Sequence, residues 1–132
     1  VNIGTPGDEL VEPGMAPNAS QIRNSNASQL SAQLKQIGII SDYSGIIKDT
    51  KNSLRTILNN SLKDSHVTVI TGGVSMGDYD FVPGMLKSIG VEILFHNIAM
   101  KPGKPTLFGR KDGHFVFGLP GNPVSSFLQY EL

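Results

Sequence analysis

Three Gly/Pro-rich runs gather most of the residues that could do chemistry. They read TGGVSMGDYD at 71–80, MKPGKP at 100–105 and LPGNPVSS at 119–126. In the first, Gly72 and Gly73 open backbone angles closed to other residues, so successive amides can form an anion-binding nest. Ser75 adds a hydroxyl, while Asp78 and Asp80 add carboxylates suited to Mg²⁺, a hard cation that takes oxygen ligands. In the second, Lys101 and Lys104 flank a Pro-Gly turn that holds two cations at low entropic cost, as a tetrahedral oxyanion or a phosphate requires. In the third, Gly121 and Asn122 precede a helix start with Ser125 in its first turn, where unpaired amides attract anions. Alone, each run would also read as a tight turn, a pair of surface lysines or a rigid cap.

Further carboxylates lie elsewhere. GDEL at 7–10 carries Asp8 and Glu9, and Asp49 follows the apolar run 39–47. Glu9, Asp49 and Asp80 together could form a cluster for Mg²⁺ and acid–base work. His66, His96 and His114 are scattered without zinc spacing. No Walker A or G-x-G-x-x-G pattern occurs.

These loops need a scaffold of alternating strands and helices. The pattern predicts strands at 1–4, 10–11, 39–47, 66–71 and 91–99, and a hairpin of 106–109 with 115–118 across Lys111, Asp112 and Gly113. It predicts helices from Ser25 or Asn26 to Gly38, then one carrying Leu54, Ile57, Leu58 and Leu62, then 81–89, and a last one from Pro123. This alternation is the α/β pattern with a mostly parallel sheet, whose ligand crevice lies beyond the carboxyl ends of the strands. All three loops are expected there.

Composition bounds the rest. The 132 residues allow one domain, with 39% hydrophobic and 17% charged residues and a formal net charge of +0. The absent basic excess argues against a nucleic-acid partner. With no cysteine, disulfides and thiolate metal sites are excluded, and a cytoplasmic setting is expected. No apolar run approaches the roughly 18 residues of a membrane span. The chain opens on a strand remnant and stops inside a helix, as a domain excised from a longer multidomain protein would.

Taken in order, GDEL, QIRNSN, GIIKD, TGGVSMGDYD, MKPGKP and GLPGNPVSS resemble the MoeA family of molybdenum cofactor biosynthesis, with the E domains of gephyrin and its plant counterpart. The resemblance covers nearly the whole chain. It implies a three-layer α/β/α MogA-like molybdopterin-binding domain, the third of four domains in an elongated homodimer. It implies a molybdopterin molybdotransferase, which uses Mg²⁺ and molybdate to convert adenylyl-molybdopterin to molybdenum cofactor with release of AMP. By motif, Glu9, Asp49 and Asp80 match catalytic positions, the two aspartates also metal positions. Ser75, Lys101, Lys104 and Ser125 match the loop serine and molybdate-holding positions. Gly72, Gly73, Gly121 and Asn122 match the pterin and phosphate framework. Pro6 is a departure, inserted within the usual glutamate motif. Residues from the other domains are missing, which implies little turnover by these 132 residues alone. Two other readings share the fold: a MogA-like adenylyltransferase acting on molybdopterin with ATP, and a non-catalytic scaffold or CinA-type domain.

Overall fold

In a computed structural model of the chain, residues 1–75 and 81–132 are described. Six strands form the main sheet: β1 (Asn2–Pro6), β4 (Asp42–Ile47), β5 (Val67–Thr71), β6 (Glu92–His96), β7 (Leu107–Lys111) and β8 (His114–Leu119). Their spatial order is β4-β1-β5-β8-β7-β6. The β4–β1, β1–β5 and β5–β8 pairs are parallel, whereas β8–β7 and β7–β6 are antiparallel. Two short strands, β2 (Leu10–Val11) and β3 (Ile22–Arg23), make a separate parallel ladder.

Helices cover both faces. On one, α2 (Lys51–Asp64) and α3 (Phe81–Ser88) bury Leu54, Leu58, Val82 and Leu86 against Ile47, Ile70, Leu107 and Val116. On the other, α1 (Asn26–Gln36) packs Ala27, Leu30 and Leu34 against Ile3, Val69 and Leu119, and α4 (Pro123–Tyr130) lies beside it. The expected three-layer α/β/α arrangement is the observed one. Among the described residues no helix is long and apolar enough to cross a membrane.

Three expected boundaries shift, each for a visible reason. The strand expected at 39–47 begins only at Asp42. Gly38, at φ 77°, ends α1 in a left-handed cap in which its own N–H bonds Lys35 O and the Ile39 N–H bonds Leu34 O. That cap takes the Ile39 amide away from the sheet. The same device ends α3: the Gly90 N–H bonds Lys87 O and the Val91 N–H bonds Leu86 O, so β6 starts at Glu92 rather than Val91. At its far end β6 stops at His96, because Asn97 takes a φ of 83°. The hairpin forms as expected, its Asp112-Gly113 turn having both φ values positive (48° and 81°), the geometry that matches strand twist.

At the amino-terminal edge of the sheet His114 closes a buried polar chain. Its Nδ1 lies 2.6 Å from Ser65 O, a group that can only accept, so Nδ1 carries the proton. Nε2 therefore accepts from Thr68 Oγ1 at 2.8 Å, and Thr68 Oγ1 accepts in turn from Ser61 Oγ. Burial holds the His114 pKa below its ordinary 6.5, with His66 and the chain's amino terminus adding to the effect. The unfolded chain then binds more protons than the folded one just below pH 6.5, so stability rises with pH there. The urea midpoint is expected to be flat above about pH 7 and to fall as pH drops below the ordinary histidine pKa. His114→Gln is expected to lower the midpoint at neutral pH and flatten that acid-side slope, as denaturation curves across pH 5–8 would show.

Candidate functional site

A cleft of about 640 Å³ opens at the carboxyl edge of the parallel strands. Four strand ends feed it: β1 through Pro6, Gly7 and Glu9; β4 through Asp49; β5 through residues 71–75; and β8 through residues 120–123. This is the crevice that open α/β sheets provide, because each parallel strand must turn back there through a loop.

The floor is set by two loops that touch through their backbones. Parallel pairing places Thr71 opposite Leu119, and the Gly72 N–H then bonds Leu119 O at 2.9 Å. A Cβ built on Gly121 would lie 3.5 Å from the Gly72 Cα, while one on Gly72 would meet Pro6 O at 3.3 Å. Gly72 also takes φ 97° and Gly73 φ 65°, the left-handed region that favours glycine. Behind them Val74 is pinned by the His96 Nε2–H, 2.6 Å from Val74 O, and by Gly118, where any Cβ would strike Val74 Cγ1 at 2.7 Å.

Asn26 ties both loops to α1. Its Nδ2 donates to Thr71 Oγ1 at 2.8 Å and to Gly121 O at 2.9 Å. The side chain is buried and its Oδ1 has no partner among the described residues. Asn24 does parallel work two residues earlier, donating to Thr5 Oγ1 at 2.8 Å and to the Tyr43 hydroxyl at 2.6 Å. The Tyr43 hydroxyl donates onward to Glu12 at 3.0 Å, and burial raises its pKa above 10.0.

The expected site residues divide. Glu9, Asp49, Gly72, Gly73, Ser75, Gly121, Asn122 and Ser125 all line the cleft. Lys101 and Lys104 are exposed and do not line it; Gly103 and Pro105, their neighbours, do. Gly103 is held inward by Gln129, whose Nε2 donates to Gly103 O at 3.2 Å, and that inward turn leaves the flanking lysines outside. Asp78 and Asp80 fall outside the described residues, as do Met76, Gly77 and Tyr79. Pro6 does not remove Glu9 from the cleft: it pairs with Ile47 at the end of β1, and the turn follows it.

The two described carboxylate positions are electrostatically linked. The Asp8 N–H bonds Asp49 Oδ2 at 3.2 Å and the Asp49 N–H bonds Asp8 Oδ1 at 3.1 Å, locking the β1 and β4 loops together. Partial burial raises the Asp49 pKa above 3.8, with the charges of Asp8 and Glu9 adding to it against the lowering by the Asp8 amide. Crowded carboxylates of this kind favour a cation between them. Among the described residues no group of three or more His, Asp or Glu could hold a metal on its own.

Helix ends behave differently from the sequence expectation. Asn122 Oδ1 accepts from the Val124 N–H at 3.0 Å and the Ser125 N–H at 3.2 Å, the Ser126 N–H bonds Asn122 O, and Pro123 has no N–H. The α4 terminus therefore offers no free first-turn amide to an anion. At α1 the Ser25 cap makes no side-chain bond. Arg23 was not singled out from the sequence, yet it lines the cleft beside that helix start. Its signal was present in the QIRNSN run, where a lone arginine precedes a helix cap.

Two outcomes test this geometry. Asn26→Ala removes both loop ties and leaves the Gly121 carbonyl without its donor, so urea denaturation is expected to show a loss of about 1–3 kcal/mol. Asp8→Asn removes a neighbouring charge, so carbonyl-detected NMR titration should place the Asp49 midpoint lower than in the parent protein.

Comparison with known proteins bears on what this cleft holds. The family described as "probable molybdopterin binding domain" matches residues 2–132. A molybdopterin molybdenumtransferase of Bacillus subtilis (strain 168) is 35% identical over 132 residues, covering 100% of this chain and 31% of its own length. The crystal structure of a molybdopterin biosynthesis MoeA protein from Pyrococcus horikosii superposes with a TM-score of 0.87 at 31% identity, covering 98% of this chain and 32% of that one. A CinA protein of unknown function from Thermoplasma acidophilum shares the fold, with a TM-score of 0.74 at 18% identity over 98% of this chain and 92% of its own. This chain thus spans about a third of the length of the curated relatives it matches.

Proposed function

The chain belongs to the molybdopterin-binding domain family, and from that premise we propose that it is the MogA-like domain of a longer molybdopterin molybdotransferase. In this reading it binds adenylyl-molybdopterin in the carboxyl-edge cleft, takes molybdate as co-substrate, and supports molybdenum insertion with release of AMP. The observation that carries the reading is the meeting of the Gly72-Gly73 and Gly121-Asn122 loops opposite Glu9 and Asp49 in one cleft.

The roles divide by chemistry. Gly72, Gly73 and Gly121 let an extended ligand lie close to backbone, Asn122 fixes the start of α4, and Ser75 and Ser125 supply hydroxyls at the wall. Glu9 and Asp49 would hold Mg²⁺; the described residues offer two carboxylates, which suits a cation that keeps several waters and takes substrate phosphate oxygens. When bound there, Mg²⁺ would neutralise charge building on the phosphate oxygens as AMP departs. Asp80 is proposed as a further carboxylate of this set. Lys101 and Lys104, exposed beside the rim, suit capture of molybdate from solvent rather than grip on the bound pterin. We propose further that the full protein is a homodimer whose other domains complete the site.

A scaffold role draws on a different face. Phe95, Phe108 and Phe115 run side by side across β6, β7 and β8, with ring centroids 5.7 and 5.9 Å apart, and Phe95 and Phe115 are 43% exposed. This row lies away from the cleft residues, so it does not compete with the enzymatic reading.

The test is a titration of the isotopically labelled protein with molybdate, then with Mg²⁺ and AMP. Amide shifts concentrated at residues 72–75 and 121–125 are the expected result, and an unresponsive cleft in the full-length protein would overturn the reading. In the full-length protein Asp49→Asn is expected to slow molybdate-dependent AMP release by about a hundredfold, with adenosine monophosphate quantified by chromatography.

A further inference from the structure

We propose that Arg23, at the mouth of α1, is the residue that grips the phosphate of the nucleotide or pterin ligand. The assignment rests on the reading of the cleft above and deepens it. Arg23 is the one lysine or arginine among the described residues lining the cleft. Its Nε donates to Met15 O at 3.2 Å, which orients the guanidinium and leaves its terminal nitrogens for a ligand. No acidic side chain among the described residues lies within ion-pair distance of it, the one such pair being Arg110 with Glu92.

The surroundings suit a phosphate. Arg23 leads directly into α1, an 11-residue helix whose Ser25 cap makes no side-chain bond. The only side-chain bond to its first turn is a long one, Ala27 N–H to Asn24 Oδ1 at 3.4 Å. The first-turn N–H groups of Asn26 and Ser28 have no acceptor among the described residues, so this helix end keeps its positive field. By contrast, the first turn of α4 is fully used by Asn122. A second observation concerns a side chain of that first turn rather than its backbone. Asn26, also lining the cleft and only 7% exposed, leaves its Oδ1 without a partner. Guanidinium is moreover the better match to phosphate, since it can bond two oxygens at once.

The backbone supports the placement. The Ile22 N–H bonds Glu9 O and the Asn24 N–H bonds Val11 O, each at 2.8 Å, so β3 is carried on β2. Glu9 and Arg23 thereby flank the same small ladder. Phosphate held by Arg23 and a cation held by Glu9 and Asp49 would lie within one cleft.

The experiment is isothermal titration of AMP and of adenosine into the full-length protein and its Arg23→Ala and Arg23→Lys variants. Adenosine separates phosphate recognition from base and ribose recognition. Arg23→Ala is expected to weaken AMP about tenfold or more, to leave adenosine unchanged, and to leave the urea midpoint unchanged because the side chain is exposed. Arg23→Lys should recover part of the loss. Equal AMP affinity in the parent and Arg23→Ala would overturn the Arg23 assignment and leave the molybdotransferase reading standing. Failure of the parent to bind AMP at all, with Mg²⁺ present, would overturn both.

Discussion

The backbone of Gly72 lies against the backbone of Gly121, and the form of the cleft follows from that approach. Parallel pairing of β5 with β8 brings the two strand ends level, and the Gly72 N–H extends the ladder by one bond to Leu119 O. Beyond that bond the chains must part, one toward the loop that continues past Val74 and the other toward α4. A Cβ on Gly121 would just reach contact with the Gly72 backbone, whereas one on Gly72 would crowd Pro6 O and have to adopt a strained φ. Asn26 then reaches from α1 to both strand ends through one nitrogen. Two donated bonds from a single buried amide give the floor a rigidity that two loops alone would lack.

Charge is arranged across this floor rather than spread around it. Asp8, Glu9 and Asp49 gather where β1 and β4 end, and partial burial, with the neighbouring charges adding to it, raises the Asp49 pKa. Arg23 and the open start of α1 stand elsewhere on the wall. The net charge of +0 therefore hides a locally polarised cleft. A ligand whose phosphates reach both a bound cation and Arg23 would meet complementary fields at each.

Much of this was legible in the residues. The β-branched run from His66 to Thr71 announced a buried strand, and Gly and Pro marked the loops after it. Sequence also named eight of the residues that line the cleft. What it missed depended on backbone hydrogen bonds that carry no residue signature. Ile39 and Ile40 look like strand, but the cap at Gly38 claims the Ile39 amide and leaves Ile40 86% exposed. The lysines of MKPGKP share a loop with Gly103 and Pro105, yet the bond from Gln129 turns only the middle of that loop inward. Arg23 reads as an ordinary surface cation until the β2–β3 ladder, whose two-residue strands are too short to show a period, carries it to the cleft.

Stability and ligand contact are placed at opposite edges of one sheet. The apolar cores pack above and below its middle strands, and the His114 chain closes the amino-terminal edge with bonds among Ser61, Ser65 and Thr68. The carboxyl-terminal edge adds polar ties to the packing of Ile47, Val74 and Leu119: Asn26, Asn24, Asn122 and the paired amides of Asp8 and Asp49. Each of those ties fixes backbone and leaves neighbouring side chains facing the cleft. Exposed wall residues such as Ser75 or Arg23 can therefore change without repacking a core, whereas Gly72, Gly73 and the tethering asparagines cannot. Fold and wall thus answer to different interactions, and the sheet constrains the first far more than the second.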